Sequence, residues 1–155
     1  DTAIFYEDYS ERLTNVLEEV GFKRTRVFKI QDGMKGMEET YNKDGVSLDI
    51  FYIYSDETFP TYQCDFHPYG ECPTCESSMK KYGFVEARRL EFPVKYNFIR
   101  LPFENITVSA ISNYEEWLRY RYGADYMIPN PAFRDNGQNP NIFNWTSEKA
   151  LYISK

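Results

Sequence analysis

The pattern of hydrophobic and polar positions predicts a protein built mostly from short strands. Residues 46–54, VSLDIFYIY, form an almost continuous apolar run that is rich in β-branched and aromatic side chains. Such a run, without polar alternation, is typical of a strand covered on both faces. Shorter runs bounded by turn residues predict further strands at residues 3–6, 22–30, 37–41, 84–92, 98–103 and 106–111.

Two segments have the features of helices. Over residues 8–20 apolar side chains recur at helical spacing, and Gly21 is a natural stop. Ser112 and Glu115 have the spacing of a capping box, which predicts a second helix that ends near Gly123. We expect both helices to pack one apolar face against the strands.

The remaining segments are predicted to be irregular. Residues 58–78 are interpreted as a loop, and from Pro129 onward the chain is rich in Pro, Asn and Gly. Together the elements predict one α/β domain over residues 1–155, with a mixed sheet, few helices and a loop insertion at residues 58–78.

The net charge and hydropathy of the chain bear on whether it binds nucleic acid or spans a membrane. The formal net charge of −6 argues against non-specific nucleic-acid binding, which depends on neutralising phosphates with Lys and Arg. No stretch is long and apolar enough to predict a transmembrane helix. The chain starts at Asp1, directly before a predicted strand, so we expect the domain to be N-terminally incomplete. The oligomeric state stays open.

Asp49 is the most informative single residue, because it interrupts the apolar run of residues 46–54. A buried carboxylate must be compensated or it becomes neutral. This strand alone favours an ion pair or hydrogen bonds over a divalent metal. Asp1 precedes a second predicted strand, so two strands could each offer a carboxylate to one Mg²⁺ ion, which prefers oxygen ligands.

Three cysteines and the single histidine cluster in the predicted loop. Cys64, His67, Cys72 and Cys75 form C-x2-H-x4-C-x2-C, and paired short spacings are typical of structural Zn²⁺ sites. Four protein ligands would close the site, so zinc would order the loop and take no part in catalysis. The alternatives are unligated cysteines with an incidental histidine, or a Cys72–Cys75 disulfide in an oxidising compartment.

Three segments resemble the LicD/fukutin family of phosphotransferases. DTAIFYEDYSERLTNVLEEVGF is similar to the segment that follows the family's Asp-x-Asp motif, with Asp1 as its last Asp. VSLDIFYIY resembles the family's later acidic strand, with Asp49 as the third carboxylate. VSAISNYEEWLRYRYGADYMIPNPAF resembles the C-terminal signature, and its Pro-Asn-Pro-Ala stretch is similar to the fukutin-related branch.

This resemblance implies a nucleotidyltransferase-like fold and a metal-dependent enzyme. The activity would transfer phosphocholine or ribitol phosphate from a CDP-activated donor to a glycan hydroxyl, with Mg²⁺ or Mn²⁺ held by Asp1 and Asp49. The family's Gly-rich turn and first Asp do not precede Asp1 here, so the resemblance leaves open whether this chain alone is active. It implies the Golgi lumen for a eukaryotic protein, and the cytoplasm or a membrane-associated location for a bacterial one.

Two other functions remain as alternatives. A degenerate family member could be a zinc-stabilised module that binds glycans or a protein partner without turnover. A nucleotidyltransferase that makes the activated donor would use the same metal and nucleotide, so only its products would distinguish it.

Overall fold

The computed structural model describes residues 2–57, 61–92, 97–132 and 142–154. Its strands are β1 (Thr2–Phe5), β2 (Lys23–Ile30), β3 (Gly36–Lys43), β4 (Val46–Tyr54), β5 (Thr61–His67), β6 (Val85–Phe92), β7 (Phe98–Phe103), β8 (Ile106–Ile111) and β9 (Ile142–Ser154). Its α-helices are α1 (Glu11–Glu19), α2 (Cys75–Tyr82) and α3 (Tyr114–Tyr122). Short 3-10 turns lie at Tyr6–Asp8 and Gln31–Gly33.

Six of the strands close into an antiparallel barrel. The order around it is β4-β3-β2-β9-β6-β5, and β5 then pairs with β4 through Ile53–Gln63 and Tyr54–Tyr62. β1 lies outside this ring and pairs in parallel with β4, whereas β7 and β8 form a separate hairpin. Closure satisfies the backbone hydrogen bonds that an open sheet would leave at its edges.

The predicted α/β fold with a nucleotidyltransferase-like mixed sheet is therefore wrong. β5 occupies residues that the sequence pattern assigned to a loop, and β9 occupies part of the tail expected to be irregular. Both strands are members of the barrel, and β9 bridges β2 and β6. Without them the remaining strands can be drawn only as an open sheet. Among the described strands, the parallel pairing of β1 with β4 is the one mixed feature.

Local signals explain where the first two helices begin and end. Ser10 caps α1 by accepting a hydrogen bond from the backbone N–H of Arg12. Thr74 and Ser77 form a reciprocal capping box at the start of α2. That helix ends at Gly83, whose φ of 78° is a conformation that favours glycine. The loop predicted over residues 58–78 is thus replaced by a strand and a capped helix along most of its described length.

The third helix begins one residue later than the sequence pattern predicts. Its N-cap is Asn113, and among the described residues no side chain caps it. Its side chains Trp117 and Tyr120 pack against Leu90 and Phe92 in a small cluster outside the main core. The predicted capping role of Ser112 is therefore wrong, although the helix itself is present.

The main core is unusually rich in tyrosine. Its buried aromatic members include Phe28, Tyr41, Tyr52, Tyr54, Tyr62 and Tyr152. Two of the hydroxyl groups donate to backbone carbonyls, Tyr54 to Gly33 at 2.6 Å and Tyr62 to Lys35 at 3.1 Å, and those of Tyr41 and Tyr52 donate to the Glu39 carboxylate. These tyrosines supply apolar area while their polar tips stay bonded, which is what burial of this side chain requires.

Candidate functional site

Asp49 lies in the middle of β4, opposite Thr40 of β3. The Thr40 hydroxyl donates a hydrogen bond of 2.6 Å to Oδ1 of Asp49. The guanidinium of Arg26 lies 4.0 Å from the same oxygen, and the Asp49 side chain is 26% exposed. One short hydrogen bond therefore fixes the orientation of the carboxylate. Its ion pair with Arg26 is long, and the Arg26 side chain is about half exposed to solvent.

The strand that follows Asp1 lies directly beside the strand of Asp49. β1 runs parallel to β4, with Thr2 opposite Ile50 and Phe5 opposite Ile53. The two strands are therefore neighbours in one sheet, which is a condition that a metal ion shared by Asp1 and Asp49 would impose. Asp1 itself lies outside the described residues, so its proposed role as a metal ligand stays a prediction.

Glu38 on β3 is a carboxylate near Asp49 that the sequence reading missed. Burial, with a smaller contribution from the nearby carboxylates of Asp65 and Asp49, raises the pKa of Glu38 to about 8, while Arg26 opposes the shift. Burial is the largest cause of this shift, so the Glu38 carboxyl is held neutral mainly because its charged form is desolvated. The Glu38-Glu39 pair was the available signal, because adjacent residues on a strand face opposite sides and one of them must turn towards the protein interior.

Asp65 on β5 is the third acid of this group. Its side chain is 20% exposed, and Arg121 of α3 approaches it to 3.9 Å. We call Glu38, Asp49 and Asp65 the acidic group. Each comes from a different strand, and closure of the barrel brings them within electrostatic range of one another.

The four predicted zinc ligands occupy separate elements. Cys64 lies in β5 and His67 ends that strand, whereas Cys72 lies in the following loop and Cys75 is the first residue of α2. All three cysteines carry free thiols. Among the residues that the structure describes, no group of three or more His, Cys, Asp or Glu side chains is arranged to hold a metal ion.

Cys64 in particular does not fit a zinc ligand. Its side chain is 1% exposed, and its thiol donates a long hydrogen bond of 3.8 Å to the Lys35 carbonyl. Burial raises the pKa of the Cys64 thiol far above its usual range, whereas zinc binds the thiolate. The structural zinc site stays a prediction that this arrangement does not support.

The acidic group fits Mg²⁺ better than the cysteines fit zinc. Its donors are carboxylate oxygens, which hard cations prefer, and a bound cation would favour the ionised form of Glu38 that burial disfavours. Mg²⁺ in proteins commonly uses one or two carboxylates together with water and substrate phosphates. A preformed cluster of three protein ligands is therefore not required for it to bind here.

Two further findings bear on the setting of this site. None of the helices in the described part of the chain has the length and apolar character needed to cross a membrane. No protein-family model, curated protein or solved structure matches this chain.

Proposed function

We propose that this domain binds a CDP-activated compound through a divalent metal ion and transfers its phospho-alcohol to a glycan hydroxyl. The observation that carries the proposal is the position of Asp49, on a strand flanked in parallel by the one that follows Asp1. Glu38 and Asp65 supply further carboxylates nearby. The resemblance of these strands to the LicD/fukutin family supports the choice of reaction.

In this proposal the acidic residues bind the metal ion and a basic residue attracts the donor. Asp49 and Glu38 would hold Mg²⁺, and the Thr40 hydroxyl would keep Oδ1 of Asp49 in a fixed orientation. When bound, the metal would neutralise charge on the donor diphosphate, which is the main requirement of phosphoryl transfer. Arg26 lies at the rim, 47% exposed, and would attract the anionic donor.

The test is calorimetry with CDP-choline and CDP-ribitol, each in Mg²⁺ and in EDTA. We expect binding that depends on Mg²⁺ and that Asp49→Asn reduces by at least about tenfold, which corresponds to the loss of one charged metal ligand. Asp44→Asn is the matched control, since Asp44 is exposed in the turn before β4. Equal affinity in EDTA, or equal effects of the two variants, would contradict the proposal.

Turnover is a separate measurement. CMP release from the donor that binds, in the presence of a glycan acceptor, should require Mg²⁺ and an intact Asp49. CTP consumption with release of pyrophosphate would instead indicate an enzyme that makes the donor.

A binding module without turnover is the second candidate. Metal-independent binding of a glycan, with no CMP release in any condition, would select it over the enzyme.

A further inference from the structure

Two of the three cysteines lie in a Cys-x-x-Cys motif where the loop after β5 meets α2. Cys72 is in the loop and Cys75 is the first residue of the helix, and both side chains are partly exposed with free thiols. The third thiol, that of Cys64, is 1% exposed. Cysteines of such a motif at the start of a helix are typical of dithiols that exchange with disulfides.

The loop folds back on the face of α2 that carries Cys75. Near the start of the loop, the backbone N–H of Tyr69 donates to the Ser78 hydroxyl at 3.0 Å. Ser78 lies three positions after Cys75, on the same face of the helix. The backbone N–H of Cys72 donates in turn to the Tyr69 carbonyl at 3.4 Å, and Thr74 caps the helix. Both ends of the loop are thus fixed to α2, which keeps Cys72 beside its first turn.

The barrel holds Cys75 in place. Its side chain packs against the main core, and the adjacent Glu76 accepts a hydrogen bond from the hydroxyl of Tyr152 on β9. Burial also raises the pKa of the Cys75 thiol, with a smaller contribution from Glu76. The thiolate is the nucleophile in disulfide exchange, so we expect Cys72 to attack first and Cys75 to resolve the intermediate.

We propose that Cys72 and Cys75 form a reversible dithiol–disulfide couple that reduces a low-molecular-weight disulfide. The Cys72 thiolate attacks one sulfur of the substrate, so that a mixed disulfide forms and one thiolate leaves. Cys75 then loses its proton to solvent, attacks the Cys72 sulfur and displaces the second thiolate. Two electrons pass to the substrate, and its two thiolates take up protons equal in number to those that the cysteines release. This couple is independent of the proposed metal and nucleotide binding.

The test uses oxidised glutathione as the substrate disulfide. The reduced protein is incubated with it, quenched in acid, unfolded and alkylated with N-ethylmaleimide, and its mass is then measured. We expect one intramolecular disulfide, which peptide mapping assigns to Cys72 and Cys75, while Cys64 is alkylated. Dithiothreitol should make all three cysteines available for alkylation again.

Substitutions separate the two roles. Cys75→Ser should stop at the mixed disulfide, so that the glutathione adduct accumulates on Cys72. Cys72→Ser should form a mixed disulfide at least about tenfold more slowly than the wild type, because the attacking thiol is gone. Cys64→Ala is the matched control and should react within about twofold of the wild type. Circular dichroism checks the fold of each protein.

Three results would overturn the couple. The first is a wild-type protein that forms no Cys72–Cys75 disulfide in oxidised glutathione. The second is an equal rate of mixed-disulfide formation for the wild type and Cys72→Ser. The third is a reaction that occurs only after EDTA has removed bound zinc, which would assign the two thiols to metal binding.

Discussion

Arg24 on β2 and Glu39 on β3 form an ion pair whose acidic partner is fully buried, with Nη1 and Oε1 2.7 Å apart and the Glu39 side chain 1% exposed. The second carboxylate oxygen of Glu39 accepts hydrogen bonds from the hydroxyls of Tyr52, at 2.7 Å, and Tyr41, at 3.2 Å. The Tyr41 hydroxyl also forms a hydrogen bond with the hydroxyl of Thr14 on α1. The network ties the first helix to the barrel and leaves the buried carboxylate fully paired.

Arg24→Met should therefore destabilise the protein strongly. It leaves a buried carboxylate with two hydroxyl donors but no counter-charge, and breaking such a pair costs about 3–5 kcal/mol. The double variant Arg24→Met/Glu39→Met should lose less than Arg24→Met alone, because it removes the unpaired charge. Urea unfolding at pH 7 measures both, with Arg12→Met on the exposed face of α1 as the control. Equal stability of the Arg24 and Arg12 variants would contradict this account.

Glu38 should make stability fall as pH rises. Its folded pKa of about 8 lies above the ordinary glutamate value of 4.5, so between those values the folded state holds a proton that the unfolded state has lost. The contribution of Glu38 to stability is therefore full below about pH 4.5, decreases through this window and levels off above about pH 8. Glu38→Gln should match the wild type at pH 5 and exceed it at pH 8.5, measured as urea midpoints in EDTA.

The control for this pH effect is Glu71→Gln, because Glu71 is exposed in the loop before α2. Its pH profile should follow that of the wild type. A Glu38→Gln profile parallel to the wild type throughout would show that the Glu38 carboxyl ionises normally in the folded protein.

Gly36 and Cys64 pack so closely that neither position tolerates added volume. A β-carbon on Gly36 would lie 2.8 Å from the Cys64 sulfur and 2.9 Å from Cδ1 of Ile30. Gly36→Ala should cost about 1–3 kcal/mol through overpacking. Adding Cys64→Ala removes the first clash, so the double variant should be more stable than the sum of the single effects predicts. Additive free energies of unfolding would disprove the contact.

Individual strands were predictable from the sequence because their signal is local. β4, β7 and β8 have the bounds that hydrophobicity and β-branching predicted, and β2, β3 and β6 differ by one or two residues at their ends. β5 was missed because its residues TYQCDFH suggested metal ligands before a strand. β9 follows a segment rich in Pro and Asn, which hid its pairing with β2 and β6. Barrel closure depends on these distant pairings and has no local signal.

The residues of the candidate site also differ in whether a local sequence signal identified them. Asp49 could be singled out because a charge within an apolar run needs compensation. Glu38 and Asp65 could not be linked to it, since β3 and β5 come together only when the barrel closes. Cys64 and His67 looked like a ligand pair by spacing, yet on a strand their separation of three residues places the side chains on opposite faces.

Asp49→Asn gives the clearest separation between a structural and a metal-binding carboxylate. The amide oxygen of Asn can still accept the hydrogen bond from Thr40, so the local shape is kept. Removing the charge relieves repulsion with Glu38 and weakens only a long, partly exposed contact with Arg26. In EDTA we therefore expect stability within about 0.5 kcal/mol of the wild type, or higher. Saturating Mg²⁺ should raise the melting temperature of the wild type by mass action and leave that of Asp49→Asn unchanged. Marked destabilisation in EDTA, with Mg²⁺ acting equally on both proteins, would show that Asp49 serves the fold through Thr40 and Arg26 and holds no metal.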